Sequence, residues 1–186
     1  MRQVATELTA QLQALENQGV QADHWNSHQY VHLHPKLLGV MKRVLSPEKI
    51  ACMRTHRRAY ISRDGWLTGS SKLKFYSHLP MRLAKDAYFQ WEAWKSRRQG
   101  FQLPDAQMTR FPFSSSYEIL TTYATRGVPE GTFEWICHPA TDRRPTDKEI
   151  IDRPGELALL TKPGLKAELQ ESGITLATFK EALVAR

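Results

Sequence analysis

Cysteine is scarce in this chain: Cys52 and Cys137 are the only two among 186 residues. Two cysteines cannot build a disulfide framework, and no CxxC spacing pairs them as metal ligands, so both are expected to be reduced, buried thiols. No apolar run approaches the roughly 18 residues of a membrane span. The opening "MRQVATELTAQLQALENQG" has no apolar stretch followed by a small-residue cleavage site, which predicts no secretory signal and a cytoplasmic protein. GxGxxG, Walker, GxSxG and HExxH motifs are all missing, so nucleotide binding and serine hydrolysis have no local support. There is no internal repeat and no low-complexity segment.

The composition is that of a soluble globular protein, 41% hydrophobic and 24% charged with 10 Gly and 10 Pro. A chain of this length fits one domain, over residues 1–186, and can bury roughly 70% of the surface that its unfolded form exposes. The formal net charge is +7, and much of the excess lies in residues 54–98, interleaved with Tyr60, Trp66, Tyr76, Trp91 and Trp94. That mixture suits a surface for a polyanion or glycan, and equally the solvated side of an irregular insertion. Nucleic acid is the less favoured partner.

Along the chain, Val4, Leu8, Leu12 and Leu15 recur at helical spacing and Gly19 offers a C-cap. "HWNSHQYVHLHP", residues 24–35, reads as a strand. "PKLLGVMKRVL" predicts a helix from Pro35, and "KIACMR" a short buried strand ending at Arg54. Residues 55–80 read as irregular, opening a basic and aromatic insertion that extends to about residue 110, with a helix from Met81 to Trp94. Further helices are expected over Tyr117–Arg126 and from Pro154 to Ser172, a strand at "GTFEWICHP", another at "ITLAT", and a last helix at "FKEALVAR". This alternation predicts an α/β fold with a mostly parallel sheet, open or rolled into a barrel, and active groups at the C-terminal ends of strands.

Residues 24–35 hold four of the seven histidines. On a strand, His24, Asn26, His28, Tyr30, His32 and His34 would share one face. Neutral imidazole is a common metal ligand, so His28 and His32 are candidates for a metal, or are hydrogen-bonded interior residues. His138 ends the strand "FEWICHPA", where an α/β fold collects catalytic groups, or merely caps a loop. Arg54 also ends a strand, where a guanidinium could hold a carboxylate or other anion bidentately, or make a surface ion pair.

These segments resemble a known family. "HWNSHQYVHLHP" is similar to the "THxDSHHHVHxxP" segment of the YdjC-like (ChbG/HpnK-type) carbohydrate deacetylases, and "FEWICHPA" to their "ELMCHPG". The tail "RPGELALLTKPGLKAELQESGITLATF" resembles their closing pattern of an Arg, a Glu-Leu pair, a Leu-Thr and a final Gly-Ile. The resemblance runs from about residue 5 to 184. It implies a (β/α) barrel-like fold and removal of N-acetyl groups from amino sugars, free or glycolipid-linked, with a divalent metal ion, magnesium or zinc. His28 matches a metal-binding histidine and His32 a neighbouring one of that cluster, which would line the metal site. His138 matches the histidine of the CHP segment, acting as acid or substrate ligand, and Arg54 falls near a strand-end arginine.

The chain departs from the family pattern at Asn26, where many members have Asp, and at Tyr30, where they have His. It also has neither the "ADDFG" strand that supplies a metal-binding Asp and the catalytic base nor the later "GxH" segment. Asp64, Asp105 and Asp142 lie in loops outside any matching motif, where Asp is usually a turn residue or cap. A (β/α) barrel usually takes about 250 residues. The expectation is therefore an incomplete deacetylase-like domain, a partial barrel with weak or no activity alone, which self-associates or takes an N-terminal partner. The rival expectation is a non-catalytic glycan- or polyanion-binding module using residues 54–98.

Overall fold

The computed structural model describes residues 1–55, 57–62, 65–66, 80–110, 130–142 and 152–183. They belong to two compact units, Met1–Thr55 with Trp91–Pro104 and Ala177–Arg186, and His56–Gln90 with Asp105–Leu176. The architecture is α/β, built on small, mainly parallel sheets. The helix expected over Tyr117–Arg126 lies outside the described residues.

In the first unit the apolar periodicity of the N-terminus forms α1 (Arg2–Asn17). It stops at Gly19, whose φ of 72° is the left-handed conformation that glycine adopts without a Cβ clash. Strand β1 (His24–Trp25) pairs in parallel with β2 (Cys52–Met53), Trp25 opposite Met53. Gln102 extends this ladder on the far side of β2, accepting from the Met53 N–H at 2.9 Å and donating to the Ala51 carbonyl at 2.8 Å. Between the two strands come a 3-10 helix (His28–Leu33) and α2 (Pro35–Val44). Pro35 opens α2 at its first turn, where its missing N–H costs nothing. Leu38 and Met41 of α2 pack with Trp25, Leu45, Met53, Phe101 and Leu103. Trp25 meets the Phe101 ring edge-on at 5.9 Å, so the core sits directly beneath β1 and β2.

The second unit holds a four-stranded sheet of order β4-β3-β5-β6, with β3 (Arg58–Ser62), β4 (Gly65–Trp66), β5 (Ala106–Arg110) and β6 (Phe133–Trp135). β3 to β5 and β5 to β6 are parallel, and β3 to β4 antiparallel. The entry to β5 is pinned to β6: Asp105 donates its N–H to the Thr132 carbonyl at 2.7 Å and accepts the Thr132 N–H at 2.9 Å through Oδ2. Helix α3 spans Pro80–Arg98, longer than the predicted Met81–Trp94.

Several expectations are corrected. The stretch read as irregular contains β3 and β4, and the connection after α3 contains β5, because pairing with neighbouring strands supplies the order that local patterning does not. The long tail helix is two, α4 (Arg153–Leu160) and α5 (Leu165–Glu171). Pro163 disfavours helical backbone at Lys162, and Gly164 turns left-handed at φ 83°. "ITLAT" forms no strand. Instead Thr178 opens α6 (Phe179–Leu183) as a capping box, its Oγ1 accepting the Glu181 N–H at 3.2 Å while the Glu181 carboxylate accepts the Thr178 N–H at 2.8 Å.

Candidate functional site

Most of the histidine segment is not a strand. After Trp25 the chain leaves the sheet, and Ser27 draws it into the 3-10 helix: Ser27 Oγ accepts the His32 N–H at 3.1 Å and is hydrogen-bonded to His32 Nδ1. A hydroxyl that captures a nearby backbone N–H competes with strand pairing in this way. Tyr30, with φ 59°, is the one non-glycine residue with positive φ among the described residues. Such backbone costs energy and gathers at functional sites.

The 3-10 turn changes which side chains share a face. At three residues per turn, positions four apart point on the order of 120° from each other, so the common face expected for His28 and His32 is not formed. His28 is exposed, whereas His32 is fully buried at 0% exposure. The His32 ring stands edge-on to Trp25, with centroids 6.0 Å apart. Burial, and then the charge of Arg54, push its pKa down from 6.5 to about 4. His32 is therefore neutral at pH 7.

Arg54 directly follows β2, and His32 lies in the 3-10 turn after β1; the charge of Arg54 acts on His32, and Tyr30 stands near both, its ring centre 6.3 Å from that of His32. The Arg54 N–H donates to the Trp25 carbonyl at 3.2 Å, and its guanidinium lies 5.8 Å from the centre of the Tyr30 ring. The cluster thus consists of a neutral imidazole, a phenol and a guanidinium, with Ser27 bonded to the imidazole. Sequence reasoning selected His32 and Arg54 but passed over Ser27 and the left-handed Tyr30, whose roles depend on the turn.

His138 belongs to the second unit. It is exposed and follows β6 by three residues. Its N–H donates to Glu156 Oε2 at 2.5 Å, and its carbonyl accepts from Arg153 Nη1 at 3.3 Å. Of the loop carboxylates, Asp105 is spent on Thr132, and Asp142 is exposed and accepts the Thr141 hydroxyl at 3.1 Å. Asp64 lies outside the described residues. Cys52 is buried as expected, but Cys137 is partly exposed, because it sits in the open backbone after β6.

Among the described residues, no three His, Cys, Asp or Glu side chains gather to hold a metal ion. No helix among them is long and apolar enough to cross a membrane.

Comparison with known proteins gives a consistent picture. A family model described as YdjC-like protein matches residues 1–171. A carbohydrate deacetylase of Vibrio campbellii is 24% identical over 190 residues, an alignment covering 98% of this chain and 59% of that protein. A crystal structure of an Enterococcus faecalis protein named for cellobiose-phosphate cleavage is similar at a TM-score of 0.55 and 24% identity, over 96% of this chain and 60% of that one. The structural likeness shows the fold. The chain spans about three-fifths of the length of both relatives.

Proposed function

Because the chain belongs to the YdjC-like family, we propose that it serves in a carbohydrate deacetylase, a hydrolase that removes N-acetyl groups from amino sugars. The observation that carries the reading is the cluster of His32, Tyr30 and Arg54 at the C-terminal ends of parallel β1 and β2, where α/β enzymes keep their chemistry. The name of the Vibrio campbellii relative supports the same reaction. In this proposal the fold class is that of a partial deacetylase-type (β/α) barrel.

Arg54 would bind an oxygen-rich or anionic part of the sugar through its fork of donors. His138, exposed at a strand end, would hand a proton to the leaving amine or bind the substrate. A divalent ion, magnesium or zinc, would polarise the acetyl carbonyl and activate water when bound. The donor set of the described residues fits such an ion only in part. His28 offers an exposed imidazole and His32 a neutral, buried one on a different side of the 3-10 turn, and among the described residues no group of three such donors gathers. Both are proposed as ligands that need others to complete the shell, and no step is derived through the ion. No carboxylate here matches the family's base, so the 186 residues alone are proposed to be weak or inactive, and to pair with an N-terminal partner or with themselves. Deacetylation of N-acetylated glucosamine oligomers tests the reading. It should appear when a DDFG-bearing segment is joined to the chain, and its absence there would refute the proposal.

A second reading rests on α3. Trp91 and Trp94 are 50% and 54% exposed, with Lys95 4.8 Å from the centre of the first ring and Arg98 5.0 Å from that of the second. Such a basic aromatic face suits a non-catalytic module for glycans or polyanions. Salt-dependent nucleic-acid binding, with a slope lowered when Arg57 and Arg58 are replaced, would favour it.

A further inference from the structure

An exposed residue just beyond a strand is ordinarily held by little besides its chain neighbours. His138 is different. Its side chain is open to solvent, yet both polar groups of its backbone are taken by charged side chains from one helical turn, the N–H by Glu156 Oε2 and the carbonyl by Arg153 Nη1. Glu156 is only 3% exposed, and burying a carboxylate is costly unless it is spent on strong donors. A third bond, from the Ala140 N–H to the Arg153 carbonyl at 3.4 Å, ties the chain beyond His138 to the same turn. Pro139 restricts His138 to extended backbone.

The turn itself is seated with care. Asp152 caps α4 by accepting the Gly155 N–H at 3.3 Å, and a Cβ on Gly155 would stand 2.1 Å from Asp152 Oδ2, so that position admits no side chain while the cap is in place. The segment "DRPGE" therefore supplies a helix cap, a cation and a buried carboxylate within five residues. Two of the five are used on a single residue of another segment.

We propose that Glu156 and Arg153 are positioning residues that grip the backbone of His138 on both sides and thereby fix where its imidazole is presented. The functional meaning rests on the proposed role of His138 toward substrate; the clamp itself rests on the geometry. A residue held at both backbone groups presents its ring from a fixed Cα, which is what a proton donor needs, since small misplacements of a reacting group are expensive in rate.

Nuclear magnetic resonance of the full chain tests the clamp, through the exchange rate of the His138 amide and the Hε1 resonance of its ring. In Glu156→Ala the amide should exchange at least about 10-fold faster, and the Hε1 line should broaden or split. The Hε1 lines of the other six histidines should stay as they are. Glu156→Gln keeps an acceptor oxygen and should restore the slow amide and the single line. Arg153→Ala should perturb the same His138 line, and it decides the matter if Glu156→Ala fails to fold. A Glu156→Ala chain that folds with His138 unchanged, or a Gln variant no better than Ala, would overturn the clamp. In the chain joined to a DDFG-bearing segment, Glu156→Ala should lower kcat/KM roughly 10- to 100-fold. A His138→Ala protein as active as the parent would instead retract the role of His138 in deacetylation, and the resonance result would still decide the clamp.

Discussion

The His32 imidazole is the residue on which most of the local physics converges. Its pKa is depressed to about 4, first by burial and then by Arg54, while in the unfolded chain it titrates near 6.5. Between those values the unfolded state binds more protons, so stability rises with pH across this window. The contribution is complete above pH 6.5 and lost as pH falls through 4, a difference of roughly 3 kcal/mol. His32→Gln should flatten the dependence of the denaturation midpoint between pH 7 and pH 4.5; parallel curves for the two proteins would mean that His32 is not the titrating group. Ser27 supports the same ring through Nδ1 and the main chain. Ser27→Ala, which leaves buried polar atoms to find new partners, should cost roughly 1–3 kcal/mol, measurable by urea unfolding.

At the scale of elements, the turn before β6 combines a close approach with a positive φ. Gly131 has φ 143°, and a Cβ there would lie 2.9 Å from Asp105 Oδ2, the atom that binds the Thr132 N–H. Gly131→Ala should therefore destabilise by roughly 1–2 kcal/mol, and an unchanged unfolding midpoint would show that the turn can relax. Helices with a clear apolar stripe and a terminal Gly or Pro, α1 and α2, were legible in the sequence because 3.6-residue periodicity and capping are local. The buried strand at Cys52–Met53 was legible for its apolar run. β3 and β5 were not, because their order comes from pairing with strands distant in sequence. The histidine segment misled for a physical reason: alternating polar residues mimic a strand face, while Ser27 supplied the competing hydrogen bonds that bend residues 28–33 into a 3-10 helix. Thus His32 and Arg54 could be chosen from their types and positions, whereas the separation of His28 from His32 depended on a turn that periodicity does not encode. Glu156 and Arg153 carried a signal only as part of the family's closing pattern.

At the scale of the whole molecule, this is a YdjC-like chain that spans 59% and 60% of the lengths of its two relatives, with a neutral imidazole, a phenol and a guanidinium gathered at one sheet end. Its excess positive charge of +7 would strengthen any association with anions and weaken it with salt, which separates the polyanion reading from the enzymatic one. The proposal as a whole turns on deacetylation. The most direct measurement is acetate release from N-acetylated glucosamine oligomers with added magnesium or zinc, comparing the chain alone, the chain joined to a DDFG-bearing segment, and the joined chain carrying His28→Ala. The account predicts little or no release from the first, turnover from the second, and loss of that turnover in the third. Robust release from the chain alone, or a joined protein indifferent to His28→Ala, would contradict it.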